Sequence, residues 1–297
     1  MDSKSLYTSL IQSLQILGLK KGDVLLLKGD LTEIGMIDSS PKASLELVFK
    51  AIWEVLGGEA EGTIITSSFT EASFIWQKSN MVFDLKSPSK GGGALTKYML
   101  QHPWAIRSSH PTNSFIAIGK YAQELTSGHD ENSRPYDPVG KVIEKDGLAI
   151  SLGSVGNPPD FMTGHFAQQQ LGHTKGSVLG LITQIRYRKN DRIKTYRVKE
   201  VGGCSKAHFK VYAKYISLKK LRVAHFGQAY SIGMSAKDAF NISYEMQRKT
   251  PRSFLCDDPD CFSCRATWLW NLIDWPRYYV RNLSRILGKT IFKASNA

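Results

Sequence analysis

The chain has 297 residues, of which 42% are hydrophobic and 22% are charged. These proportions are typical of a soluble protein with a sizeable core, and they exclude intrinsic disorder. No run of about 18 uninterrupted apolar residues occurs, as a membrane-spanning helix would need. The first six residues lack the basic and apolar layout of a secretory signal, so we expect a cytoplasmic protein.

Strand-like and helix-like segments alternate along the chain. Apolar residues at helical spacing predict a first helix over 5–19. Short apolar runs bounded by glycine or polar residues predict buried strands at 24–27, 63–67, 115–118 and 148–152. Helical candidates lie between them at 45–56, 95–101 and 121–125. We therefore predict a three-layer α/β/α domain with a central mixed sheet over 1–245, plus a C-terminal helical extension over 246–297.

Three consecutive glycines, from Gly91 to Gly93, precede one of the predicted helices. The exposed backbone amides at such a helix start can hold an anion. Glycines also connect elements without binding anything, so the binding and the structural interpretations both stay open.

Two polar loops carry histidines, the side chains best suited to move a proton near neutral pH. His165 follows the predicted strand 148–152 through a loop, which places it at the edge where α/β sheets bind ligands. We expect it to be the general base, against the alternative that it starts a helix and is satisfied by a backbone carbonyl. His110, held between Ser109 and Pro111, is more typical of a binding loop.

The net charge of +13 is concentrated between Arg186 and Arg222, where thirteen Lys and Arg residues face only Asp191 and Glu200. One interpretation is a solvated hairpin and helix face. The other is a site for an anion, such as a cofactor phosphate, a nucleotide-linked acceptor or lipid headgroups. We do not expect nucleic acid as a partner, because no recognisable reading module accompanies the charge.

All four cysteines can contribute to one metal site. Cys256, Cys261 and Cys264 lie in one short segment, and Cys204 is available as a fourth ligand. Four thiolates suit a structural tetrahedral zinc ion. Their spacing also resembles plant-type iron–sulfur ligation, and ordinary buried thiols are a further alternative. A metal-dependent hydrolase is consistent with the cluster only if the ion keeps one coordination position open for water or substrate.

Basic residues recur at every fourth position from Arg277 onward, with apolar residues between them at helical spacing. Pro276 suits the first turn of the basic amphipathic helix that this pattern predicts. The helix can pack on the core with a solvated stripe, or it can touch an anionic membrane as a peripheral contact. Gly288 weakens it by up to about 1 kcal/mol.

Four segments occur in an order and approximate spacing that resemble a known family. They are Arg107-Ser-Ser-His-Pro-Thr-Asn-Ser114, Pro135-Tyr-Asp-Pro-Val-Gly-Lys141, Leu152-Gly153 leading to Thr163-Gly-His165, and Phe226-Gly-Gln-Ala229. Together they look like the aminoglycoside 3-N-acetyltransferase family. The resemblance runs from about residue 25 to about residue 240.

The resemblance implies an acyl-coenzyme A dependent N-acyltransferase in which His165 deprotonates the attacking amine. It implies acetyl-CoA or another acyl-CoA as co-substrate, lying along three loops. The residues that we expect to bind it are Lys28, Asp30, Leu31, Gly92, Ser108, Ser109, His110 and Ser114. Hydroxyls and backbone amides there can hold the thioester oxygen, where negative charge grows during attack.

One position departs from the family pattern, which has Glu three residues after the catalytic histidine. Here that position is Gln168, whose neutral amide can orient the ring but cannot stabilise imidazolium as a carboxylate would. Asp160 and Glu200 are the candidates for a substitute carboxylate.

The acceptor implied by the resemblance is an amino sugar. A protein of charge +13 is a poor electrostatic match for a polycationic aminoglycoside. We therefore expect an anionic acceptor, an amino sugar linked to a nucleotide or to a polyprenyl phosphate in surface polysaccharide or glycoconjugate synthesis. An aminoglycoside acceptor with a role in antibiotic resistance is the first alternative, and a non-catalytic membrane-peripheral binding protein is the second.

Overall fold

A computed structural model describes residues 3–90, 92–153 and 161–283. Its strands are β1 (Val24–Gly29), β2 (Thr63–Phe69), β3 (Ser73–Phe74), β4 (Val82–Phe83), β5 (Ile106–Arg107), β6 (Asn113–Gly119), β7 (Leu148–Leu152), β8 (Thr183–Lys189), β9 (Arg192–Arg197), β10 (Arg222–Phe226) and β11 (Ala229–Ser235). Seven of them form the main sheet, in the order β10-β11-β7-β1-β2-β6-β5.

The α-helices lie between and after the strands. They are α1 (Ser3–Ile16), α2 (Leu31–Ile34), α3 (Pro41–Leu56), α4 (Gly93–Gln101), α5 (Ala122–Thr126), α6 (Asp137–Glu144), α7 (Thr163–Gln170), α8 (Leu179–Ile182), α9 (Tyr212–Ser217), α10 (Ala236–Lys249), α11 (Phe262–Arg265) and α12 (Trp275–Arg281). The four predicted strands and the predicted helices all coincide with elements of this set.

Two apolar cores lie on opposite faces of the main sheet, as alternation along β1 illustrates. Leu25 and Leu27 pack on one face with α1, α3 and α4. Val24 and Leu26 pack on the other face with α5, α6 and α7. Successive side chains of a strand point to opposite faces, so this strand is apolar throughout because both faces are covered. The predicted three-layer α/β/α architecture is confirmed.

The sheet is mixed, and its register brings several loops to one edge. β1 pairs in parallel with both β2 and β7. β6 runs antiparallel to β2 with Asn113 opposite Phe69, so β6 begins where β2 ends. β11 runs antiparallel to β7 and begins at the same edge. This edge, the carboxyl edge of the parallel strands, is where open α/β sheets bind ligands.

A smaller sheet of β3, β8, β4 and β9 covers part of this edge. β8 and β9 form an antiparallel hairpin whose buried side chains alternate with exposed ones. Ile185, Tyr187, Tyr196 and Val198 form its own apolar cluster with Phe83. The sequence analysis considered a hairpin in this charged segment, but it did not predict β3, β4 or their pairing with β8.

The C-terminal segment is helical and begins inside an element of the main domain. α10 spans Ala236–Lys249, so the division that we placed after residue 245 falls within this helix. The basic helix predicted from residue 275 is present as α12, and its continuation past residue 283 lies outside the described residues. Among the described residues, no helix is both long and apolar enough to cross a membrane.

Candidate active site

The Arg107–Ser114 motif is held at the carboxyl edge by the buried Arg107 side chain. Its Nε donates to Ser114 Oγ at 2.9 Å, and its Nη2 donates to the Ser68 carbonyl at 3.0 Å. Nη1 donates to the carbonyls of Leu85 and Ser87. Burial lowers the pKa of Arg107 to about 10. Arg107 and Ser114 therefore fix the motif to the end of β2, and both side chains are buried.

His110 and Ser108 are buried, and their polar groups organise the motif internally. His110 Nδ1 accepts hydrogen bonds from the amides of Thr112 and Asn113, and its ring stacks on His129 with centroids 4.9 Å apart. Ser108 Oγ bonds His129 Nδ1 at 2.9 Å. Of the motif residues that we expected to bind coenzyme A, only Ser109 exposes its side chain.

Burial holds both of these stacked histidines in the neutral form. It lowers the pKa of His110 to about 4 and that of His129 to about 3. The like charge that each ring would carry beside the other adds to the shift for His129. Neither ring is therefore suited to accept a proton near neutral pH, which agrees with a binding-loop role for His110 and a different residue as the base.

The loop after β1 and the start of α4 lie at the same edge. Asp30 caps α2 by accepting from the Thr32 amide at 3.0 Å. A groove of about 340 Å³ begins here, and its lining is mainly apolar, with Leu31, Ile34, Met36, Leu45, Val48 and Ala94 among the residues. Lys28 is half-buried at the end of β1, and Gly92 is the N-cap of α4.

His165 lies on α7 with 7% of its surface exposed, and Gln168 orients its ring. His165 Nδ1 is 3.0 Å from Gln168 Oε1, and the Gly203 amide donates to the same oxygen at 3.1 Å. A carbonyl oxygen only accepts, so Nδ1 is the nitrogen that carries the proton. The lone pair is then on Nε2, which is the tautomer that a general base needs.

The ring of Tyr136 stacks on His165, with centroids 5.2 Å apart and planes inclined by 15°. Gln169, one residue after Gln168, fixes the Tyr136 segment: its Oε1 accepts from the Tyr136 amide and its Nε2 donates to Asp137, both at 2.8 Å. The ring of His208 lies on another side of His165, with centroids 4.6 Å apart.

Of the two candidate carboxylates, the structure describes Glu200. Glu200 is buried, and its two oxygens accept from Arg134 Nε and Nη2 at 2.9 and 3.0 Å. Thr174 Oγ1 donates to it as well, at 2.6 Å. Glu200 is thus committed to a bidentate ion pair, and Gln168 is the residue that holds Nδ1 of His165. Asp160 lies outside the described residues.

A cleft of about 290 Å³ opens beside Tyr136, between the main sheet and the β8–β9 hairpin. Its walls include Thr112 and Asn113 of the motif, together with Glu200 and Gly202. Because Tyr136 both lines the cleft and stacks on His165, the candidate base lies directly behind one wall. The cleft offers amide and hydroxyl groups to a polar ligand.

The basic segment is partly neutralised. Lys189, Lys206, Lys210 and Lys220 form ion pairs with Glu131, Asp258, Asp257 and Asp238, respectively. The arginines of the β8–β9 hairpin, by contrast, are exposed on its outer face. The hairpin that the solvated interpretation assumed is present.

The four cysteines converge. Sγ atoms of Cys204, Cys256, Cys261 and Cys264 all lie within 4.8 Å of one another. All four are free thiols, and Cys256 and Cys264 are buried. The cluster lies next to Gly203, whose amide contacts Gln168.

Sequence patterns did not single out four residues that support the base, namely Tyr136, Gln169, Gly203 and His208. Tyr136 lies in the quoted Pro135–Lys141 segment, which was the available signal. Gly203 contacts Gln168 and His208 contacts His165 from a segment about 40 residues away, and no local pattern indicates such contacts.

Comparisons with known proteins agree with this architecture. A family model described as aminoglycoside 3-N-acetyltransferase matches residues 26–248. Aminoglycoside N(3)-acetyltransferase VII of Streptomyces paromomycinus is 27% identical over 164 residues, which cover 50% of this chain and 55% of that protein. The chain thus spans about half the length of the curated relatives that it matches.

Solved structures share the fold. The aminoglycoside acetyltransferase AAC(3)-IVa, as a histidine-to-alanine mutant in complex with a gentamicin, superposes with a TM-score of 0.71 at 19% identity and covers 89% of this chain and 96% of that chain. AAC-IIIb in a binary complex with CoASH superposes with a TM-score of 0.65 at 18% identity, covering 82% and 96%. By the family model that spans most of its length, this chain belongs to the aminoglycoside 3-N-acetyltransferase family.

Proposed function

We propose that this protein transfers an acetyl group from acetyl-CoA to an amino group of an aminoglycoside or closely related amino sugar. The observation that carries the proposal is the orientation of His165, whose Nδ1 is held by Gln168 so that Nε2 can accept a proton. It lies against Tyr136 in the wall of a polar cleft. The relatives' names supply the reaction class, and the CoASH complex of AAC-IIIb supports the co-substrate.

The reaction follows from this orientation. As the amine nitrogen attacks the acetyl carbon, Nε2 of His165 takes the proton that the nitrogen loses. The carbon–sulfur bond breaks, its electron pair stays on sulfur, and the thiolate is released to take up a proton. No covalent acyl-enzyme is needed, because base and acceptor act in a single displacement.

The acyl donor would lie along the carboxyl edge. The groove beside Leu31 and Ala94 suits the largely apolar pantetheine arm, and the amides of the Ser108–Ser114 loop suit the thioester oxygen. Because Ser108, His110 and Ser114 bury their side chains, we assign them to holding the loop in shape. Ser109 is the side chain free to contact the donor directly.

The acceptor favoured by the relatives differs from the one that charge suggested. Net charge favoured a nucleotide- or lipid-linked amino sugar in surface polysaccharide synthesis, whereas the relatives named as aminoglycoside N(3)-acetyltransferases and the gentamicin complex favour an aminoglycoside. Much of the positive charge is on the outer face of the β8–β9 hairpin, away from the cleft, and the Glu200 carboxylate in the cleft wall balances the charge of Arg134. The local electrostatics are therefore compatible with a cationic amino sugar.

The test is thiol release from acetyl-CoA with gentamicin, sisomicin and nucleotide-linked amino sugars. We expect activity with at least one aminoglycoside, and a loss of roughly 10²- to 10⁴-fold in kcat for His165→Ala, since general-base catalysis typically contributes that much. His102→Gln, at the far end of α4, is the control and should keep full activity. Activity only with nucleotide-linked acceptors would restore the polysaccharide interpretation, and no activity with any acceptor would refute the proposal.

We also propose that the C-terminal segment makes a peripheral contact with anionic membrane. Ile273 and Val280 expose 64% and 75% of their surfaces, and they lie on either side of Arg277 on the described part of the segment. Exposed apolar groups next to cations are the arrangement that interfacial helices use.

A further inference from the structure

The four cysteines come from two distant parts of the chain. Cys204 ends the loop after β9. Cys256 and Cys261 lie between the 3₁₀ turn at Pro251–Phe254 and α11, and Cys264 lies within α11. Their Sγ atoms nevertheless all lie within 4.8 Å of one another, and none of them is in a disulfide. Ordinary packing of buried thiols gives no reason for four of them to converge on one point, so the convergence indicates a shared ligand.

The separation suits a single ion. A tetrahedral zinc–thiolate site with bonds of about 2.3 Å places its sulfur atoms roughly 3.8 Å apart. In a plant-type [2Fe–2S] cluster the four cysteines are shared between two irons, so sulfur atoms on different irons lie further apart than those on one ion. The four Sγ atoms of this protein, all within 4.8 Å of one another, are close to the spacing of a mononuclear site.

Backbone amides already point at two of the sulfurs. The Lys206 amide donates to Cys204 Sγ, and the Cys256 amide donates to Cys264 Sγ, both at 3.4 Å. Such hydrogen bonds offset the negative charge of metal-bound thiolates and fix their direction. An apolar cluster that contains Ala207, Leu255 and Trp268 encloses the other side. The space between the four sulfur atoms is thus suited to a fully enclosed cation, with no coordination position open to solvent.

We propose that Cys204, Cys256, Cys261 and Cys264 bind a structural zinc ion that joins the C-terminal segment to the loop beside the candidate base. Binding displaces one proton from each thiol, so the site carries two net negative charges when loaded. Four thiolates fill the tetrahedral coordination, which leaves no position for substrate or water and excludes a hydrolytic role for the ion.

The ion also determines the position of Gln168, and this second step rests on the proposed function. Gly203, which precedes the ligand Cys204, donates to Gln168 Oε1 at 3.1 Å. A Cβ atom at Gly203 would lie 2.9 Å from Gln168 Nε2 and 3.2 Å from the Trp268 ring, so the loop is packed closely on both sides. Anchoring Cys204 therefore anchors the amide that fixes the orientation of Gln168, and through it the tautomer of His165.

Metal content tests the site without reference to catalysis. Protein purified without a metal-affinity tag should contain equimolar zinc by mass spectrometry, and cobalt-substituted protein should show thiolate-to-metal charge transfer and the visible bands of tetrahedral Co²⁺. Cys261→Ser should lose most of the metal, while Ser263→Ala in the same loop should retain it. Zinc-free wild-type protein that also gives no cobalt–thiolate absorption would overturn the proposal, even if the cysteine variant fails to fold.

The link to the base is read from the histidine tautomer. In ¹⁵N NMR spectra of zinc-loaded protein, His165 should show a protonated Nδ1, and this signal should broaden or shift in Cys204→Ser. In Cys204→Ser, the fold decrease in kcat should be larger than the fold change in KM. Ser263→Ala should have the kcat and the KM of the wild type. An unchanged tautomer after metal loss would refute the link but leave the zinc site standing, and an inactive wild type that contains zinc would refute only the proposed function.

Discussion

Gln168 stands where the family pattern has a carboxylate, and it fixes the tautomer of His165 without adding charge. In Gln168→Glu, the Gly203 amide can still donate to the side chain, and a carboxylate beside the ring favours imidazolium. We expect the acid limb of the kcat/KM profile to move up by about one pH unit, with a higher plateau. Gln170→Glu, on the exposed side of the same helix, is the matched control. An unmoved acid limb in Gln168→Glu would show that His165 is not the titrating base.

The stacked pair His110 and His129 makes stability depend on pH. Burial lowers the pKa of these rings to about 4 and about 3, well below the ordinary value near 6.5 that they regain on unfolding. The unfolded state therefore binds more protons between about pH 6.5 and 4, and stability falls as the pH is lowered through that range.

At pH 5 each of these histidines should reduce the free energy of unfolding by about 2 kcal/mol relative to pH 8. Urea unfolding at the two pH values measures the difference. His129→Asn should remove about half of the pH dependence, whereas the exposed His225→Asn should leave it unchanged. Equal slopes for His129→Asn and wild type would contradict the assignment of a buried neutral ring.

The sequence was a better guide to the candidate base than to the residues that hold the base and the binding loop in place. The candidate base and the residue beside it followed from the resemblance, and the structure brings them together. Ser108, His110 and Ser114 were expected to touch the cofactor, but their side chains are buried. A serine or histidine in a polar motif looks the same whether it faces a ligand or holds the loop, because only packing decides its direction.

Between elements, the guanidinium of Arg107 in β5 joins the end of β2 to the loop at residues 85–87. In Arg107→Met the carbonyls of Leu85 and Ser87 would lose this donor, whereas the Ser68 carbonyl keeps the Ser114 hydroxyl, and each unpaired buried group costs about 1 to 3 kcal/mol. We expect a loss of at least about 3 kcal/mol in urea unfolding. Arg188→Met, on the exposed face of β8, should change stability by less than about 0.5 kcal/mol. Similar losses in both variants would contradict this role.

Local periodicity predicted four of the seven strands of the main sheet, but not β5, β10 or β11, and it did not predict the strands of the smaller sheet. β7 was predicted with its observed bounds because four apolar residues and one serine form a short run between polar turns. β3 and β4 have only two residues each, and they pair with β8 about 110 residues later in the chain. Such short strands exist only through these distant partners, so a pattern based on neighbouring residues contains no signal for them.

Over the whole molecule, the uneven charge and the exposed apolar groups of the C-terminal segment predict a lipid preference. The protein should co-sediment with vesicles that contain phosphatidylserine and not with neutral vesicles, and this binding should weaken with salt. Arg277→Glu combined with Arg281→Glu should abolish it, while Arg188→Glu and Arg192→Glu on the hairpin should have little effect. Equal losses in both pairs would point to general electrostatics rather than to the segment.

The order of strands in the main sheet has a consequence for synthesis on the ribosome. β7 is buried on both faces, and its free side is covered by β11, which begins at Ala229, about 75 residues after β7 ends. At roughly 5 to 20 residues per second, translation leaves this strand edge open for about 4 to 15 seconds. An open apolar edge is a template for pairing with another chain. A nascent chain of this protein therefore depends on shielding by chaperones during that interval, and a product terminated before β11 should aggregate rather than fold into a smaller enzyme.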